Sequence, residues 1–159
     1  MDQDKQLRQQ LVKVMDWNEA HADFSAAISD LPAELRGRVP DGLPYSAWQL
    51  LEHIRIALWD ILEFSRDARH KSPEWPEGYW PKAAAPPNEQ AWDKSIGAIR
   101  EHLDEMRKLI TDPKHDLFAP IAHGSGQTLL RQALLTADHN AYHIGQIVLV
   151  RKALGAWKG

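Results

Sequence analysis

His139 and His143 stand four residues apart in the stretch His139-Asn140-Ala141-Tyr142-His143. On a helix that spacing puts two side chains on one face with Cβ atoms about 6 Å apart, close enough for both imidazoles to share one metal ion. The chain has no cysteine. Disulfides, thiolate ligands and a cysteine nucleophile are therefore excluded, and a metal site must draw on imidazole, carboxylate or water. The same face carries Gln132, Leu135, Gln146 and Val150, a mixture of apolar and hydrogen-bonding groups that suits a partly buried polar site better than plain core. His53 is the candidate third ligand. It lies in the most apolar stretch of the chain, with Leu50, Ile56, Ala57 and Phe64 on or near its face, and a buried imidazole without a partner is costly. Three neutral imidazoles would leave the charge of a divalent ion uncancelled and a coordination position open, the arrangement of catalytic rather than structural sites. The same three residues could instead be core histidines satisfied by neighbouring carbonyls or carboxylates. Asn140 follows the first histidine, so the His-Glu-x-x-His signature of zinc proteases is absent. From the residues alone both readings stand.

Three further residues are candidates for supporting roles. His21 falls on the expected buried stripe of the first helix and could line the pocket or act as a proton relay, against the plainer role of a satisfied core histidine. Asp60, two turns after His53, could orient a ligand or relay a proton, against an exposed helix-face carboxylate. Gln146 could reach a metal-bound water or simply turn outward. Trp75, Tyr79 and Trp80 could form a lid over the site or an apolar cap on the fold. His70, His102, His115 and His123 fall in loops or on a charged helix surface, where solvated side chains are expected. No nucleophile-base-acid arrangement, phosphate loop or dinucleotide fingerprint occurs, and Gly124-Ser125-Gly126 reads as a turn before a helix.

Four helical stretches must position these groups. The first is expected over about Lys5 to Asp30, on the stripe Leu7, Leu11, Val14, Asn18, His21 and Ser25. The second should start on Ser46 as N-cap and run to about Ala68, apolar over most of its circumference and so buried on several sides. From His70 to Pro87 five prolines mark a loop, long for a bundle connection. The third helix should begin after Asn88 and stop at Asp112-Pro113, and the fourth should run from about Gln127 to Leu154 with Gly155 as its stop. No stretch alternates with the period of a strand. Four long helices can bury their stripes only against one another, so the fold class is all-α: a four-helix bundle whose long link between helices two and three allows an up-down-down-up order as readily as up-down-up-down.

At 159 residues the chain is expected to form one domain over residues 1–159. Nineteen basic and 22 acidic side chains give a net charge of -3, and no segment concentrates Lys and Arg. A nucleic-acid partner and surface attachment to a membrane are disfavoured on that ground. Met1 to Gln10 is polar and no apolar run approaches the length of a membrane span, so the expected location is cytoplasmic.

The single histidine in Trp48-Gln-Leu-Leu-Glu-His53, followed about 85 residues later by His139-x-x-x-His143-x-Gly145-Gln146, resembles the DinB/YfiT-like superfamily, and the likeness covers nearly the whole chain. The resemblance implies an up-down-down-up four-helix bundle that binds nickel, zinc or another divalent metal, iron and manganese included, through three histidines, here His53, His139 and His143. It further implies a small-molecule substrate, a homodimer, and in some relatives transferase or isomerase chemistry with a low-molecular-weight thiol. A chain without cysteine would have to take such a thiol from outside. Hydrolysis by the same site is the second expectation, with His21 or Asp60 as possible relays. A non-catalytic stress-response or binding module with a structural or incidental metal is the third.

Overall fold

The computed structural model describes residues 2–15 and 20–158. Helix α1 spans Gln3–Val14, started by the Asp2 carboxylate on the backbone N–H of Asp4. The expected first helix is therefore cut short, and Asn18 lies outside the described residues. In its second half the chain restarts as a short helix α2, Phe24–Ile28, whose first turn is capped by Asp23 through the N–H of Ala26 at 2.7 Å. An aspartate competes for nearby backbone donors and so favours a new start over a helix interior. The stripe read across Asp23 had the right spacing but no continuous helix behind it. Asp30 then turns the chain with φ of 54°, and α3, Ala33–Arg36, completes the lead-in.

Helix α4, Ala47–Arg66, begins at a full capping box: Ser46 accepts from the N–H of Gln49, whose side chain accepts from the N–H of Ser46. Helix α5, Glu89–Thr111, starts on Asn88. Helix α6, Leu129–Ala153, starts on Thr128, two residues later than expected, and Gly155 follows it with φ of 68°. Between α4 and α5 only a 3-10 turn at Glu77–Tyr79 interrupts the irregular chain. Among the described residues no strand forms and no helix is long and apolar enough to cross a membrane. The protein is all-helical.

Leu50, Leu51, Ile54, Leu58 and Leu62 of α4 are fully buried, together with Ile99, Met106 and Ile110 of α5 and Ile147 of α6. Helix α4 packs on both α5 and α6. Glu52 meets Ser95 near the start of α4 and α5, and Arg66 meets Glu105 further along both, so these two helices run parallel. Parallel neighbours need a connection that returns along their whole length, which explains the long prolyl link. Helix α6 runs antiparallel to α4, since His53 faces His139 while Phe64, near the end of α4, receives His123 just before α6. Two buried arginines close helix ends elsewhere: Arg8 donates to the carbonyls of Ile110, Asp112 and His115 at the end of α5, and Arg151 donates to those of Ala26 and Ala27 in α2. Carbonyls left over at a helix C-terminus take such donors readily.

Candidate metal centre

The antiparallel packing of α4 on α6 brings His53 against His139 and His143, and one nitrogen from each ring lies within 4.8 Å of the others. His53 and His143 are buried, His139 partly so. The Nε2 atoms of His53 and His139 are 3.1 Å apart. Two nitrogens bound to one ion at about 2.0–2.1 Å would stand roughly 3.3 Å apart in a tetrahedral shell and about 2.9 Å in an octahedral one, so the observed spacing fits a shared ion. The three histidines are positioned to hold a metal.

The outer nitrogens support this. His53 Nδ1 lies 2.9 Å from the Tyr79 carbonyl oxygen and His143 Nδ1 2.7 Å from Gln146 Oε1. Each partner is an acceptor, so each Nδ1 carries the proton and each Nε2 keeps its lone pair for the centre of the cluster. His139 differs, because its buried Nδ1 makes no well-formed hydrogen bond among the described residues. One proton lies between its Nε2 and that of His53, and to ligate through Nε2 the neutral His139 ring would carry that proton on Nδ1 instead. Burial pushes the imidazoles of His139 and His143 down to about 4, the neighbouring rings adding to the effect, and lowers His53 as well. All three are neutral at pH 7, the form that ligates.

The connecting loop closes on this cluster. The Trp80 indole stacks on His53 with centroids 3.9 Å apart and planes 4° from parallel, and Tyr45 stacks on the far face of Trp80 at 4.1 Å. Of the three loop aromatics, Trp80 and Tyr79 reach the site, whereas Trp75 is 69% exposed. Sequence reasoning singled out the aromatic loop but missed Tyr45 and the Tyr79 carbonyl. Tyr45 stands in plain view just before the Ser46 cap, while a backbone acceptor carries no signal in residue type.

Gln146 sits behind His143 as the acceptor of its Nδ1 proton. Asp60 holds the Tyr79 hydroxyl at 2.6 Å and His70 Nε2 at 2.7 Å. His21 is exposed, not on a buried stripe, because the helix that would bury it stops at Val14. It borders a separate cavity of about 420 Å³ beside Met15, Phe24 and Ala137, whose lining includes none of the three clustered histidines. His70 is not solvated as expected, its side chain being 7% exposed against Asp60. His102 is half-buried on α5, which lowers its pKa, His123 Nε2 bonds the Phe64 carbonyl from an exposed position, and His115 is exposed.

An all-helical chain whose α4 and α6 converge three imidazoles on one point defines a class of helical proteins with a candidate metal centre. The chain belongs to the DinB superfamily, whose family model matches residues 16–147 and so spans all three histidines. No curated protein and no solved structure gives a significant match.

Proposed function

We propose that this protein is a metal-dependent enzyme in which His53, His139 and His143 hold one divalent ion and a low-molecular-weight thiol or water is activated there against a small electrophile. The observation that carries the reading is the donor set: among the described residues the cluster contains three imidazoles and no carboxylate. Three neutral donors neither cancel the charge of a divalent ion nor fill its shell. Zinc and nickel suit imidazole donors best, with iron and manganese as weaker matches. A divalent ion bound there supplies Lewis acidity and lowers the pKa of a coordinating water or thiol.

The chain's own residues prepare the site. Tyr79 and Gln146 hold the outer protons of His53 and His143, so those rings meet the ion in the correct tautomer. Burial keeps the three rings neutral. Trp80, backed by Tyr45, walls one side of His53 with apolar surface and excludes water there. With no cysteine in the chain, a thiol nucleophile has to arrive as co-substrate.

Cobalt substitution tests this directly. Adding a small thiol to the cobalt-loaded protein should produce the intense near-ultraviolet charge-transfer band of a cobalt–thiolate bond, and the same thiol should be consumed against an alkylating electrophile. An unchanged spectrum together with ester or amide hydrolysis would assign the water reaction. Absence of both activities with a metal-loaded protein would contradict the enzymatic reading and favour a binding module.

A further inference from the structure

The link between α4 and α5 touches the cluster through two consecutive residues: Tyr79 presents its carbonyl oxygen to His53 Nδ1, and Trp80 lies flat on the same ring. Together they fix the two properties that decide how an imidazole ligates, its tautomer and its plane. Neither contact is made by an α-helix: Tyr79 ends the 3-10 turn and Trp80 follows it. Something must therefore hold this irregular segment in register with α4, and Asp60 is placed to do so. Its Oδ2 accepts from the Tyr79 hydroxyl at 2.6 Å and its Oδ1 lies 2.7 Å from His70 Nε2. Both ends of the 70–79 stretch thus close on one carboxylate, with side-chain exposures of only 7% for His70 and 13% for Asp60. Hydrogen bonds to an ionised carboxylate are short and strong, and burial strengthens them further.

We propose that Asp60 is a positioning residue for His53, acting through the Tyr79 hydroxyl and His70 to set the loop so that the Tyr79 carbonyl selects the Nδ1–H tautomer of His53. The effect is mechanical rather than a proton relay, because the Tyr79 ring and backbone separate its hydroxyl from its carbonyl. The Tyr79 hydroxyl is raised to about 12 by burial and by Asp60, so it remains a donor throughout the neutral range. The consequence for metal affinity rests on the proposed metal site, whereas the choice of tautomer does not.

The test uses Tyr79→Phe, which removes one hydroxyl and keeps ring and carbonyl, and Asp60→Ala. In metal-free protein, long-range proton–nitrogen NMR correlations report the tautomer of His53, assigned by loss of its signals in His53→Gln. Wild type should show the Nδ1–H form, and both variants should gain the Nε2–H form while keeping wild-type helicity. Zinc affinity, read by competition with a chromophoric chelator, should fall about 10- to 100-fold, the usual cost of losing an outer partner. If Asp60→Ala does not fold, Tyr79→Phe decides alone. An unchanged His53 tautomer and unchanged zinc affinity in folded Tyr79→Phe would overturn the proposal while leaving the metal site intact. A shifted tautomer in a protein whose wild type binds no zinc would support the positioning and remove the metal reading.

Discussion

At the scale of single residues, the outer hydrogen bonds make the histidine cluster more than a coincidence of buried rings. Gln146 accepts the Nδ1 proton of His143, so Gln146→Leu, which keeps the bulk and removes the acceptor, should weaken zinc binding about 10- to 100-fold in a competition titration with little change in helicity. Protonation supplies a second prediction. The folded-state pKa values of His139 and His143 lie near 4, below the model-peptide value of 6.5, and His53 is shifted the same way. Above pH 6.5 the rings are neutral in folded and unfolded chains alike. As the pH falls from 6.5 towards 4 the unfolded chain takes up protons that the folded chain refuses, so this contribution to stability is lost over that window. Urea unfolding of metal-free protein should therefore show a midpoint that falls between pH 6.5 and 4, with a flatter profile in the His139→Ala, His143→Ala double variant.

At the scale of elements, the cluster depends on α4, α6 and the link after α4. That link is fastened at its far end too, where Ser46 donates its hydroxyl to the Ala84 carbonyl and Gly37 packs so closely on Ala85 that an added Cβ would overlap the Cβ of Ala85. Gly37→Ala should force the two backbones apart and destabilise the fold by about 1–3 kcal/mol, the usual cost of overpacking, as read by chemical unfolding. The helices that build the site were legible because Ser46 and Asn88 are strong N-caps ahead of periodic apolar stretches. His53, His139 and His143 were legible as a set through the i, i+4 pair, the apolar setting of His53 and the family likeness. The first helix was overextended because Asp23 starts a new helix inside a stripe with helical spacing. His21 was misplaced with it. The contacts of Tyr79, Trp80 and Asp60 were hidden because they join an irregular segment to α4, and composition alone does not say where such a segment lands.

At the scale of the whole molecule, the apolar core is built from residues outside the histidine cluster. Fully buried Leu51, Leu58, Leu62, Ile99, Met106 and Ile147 pack three helices together. Chelation should therefore leave the helical circular dichroism unchanged, and removing a metal held at 100 times its Kd should cost only about 2.7 kcal/mol of stability. For a chain of this size that is roughly 5–11 °C in Tm. Collapse of the helical signal on chelation would make the metal structural rather than catalytic.

Whether His53, His139 and His143 together hold one divalent ion is read most directly from metal content by plasma mass spectrometry after reconstitution with nickel, zinc, iron and manganese in turn. Wild type and His102→Ala should each retain about one equivalent of a metal that suits imidazole donors, and His53→Ala, His139→Ala and His143→Ala should each lose most of it while remaining helical. Full occupancy in all three ligand variants, or no metal in reconstituted wild type, would contradict the account.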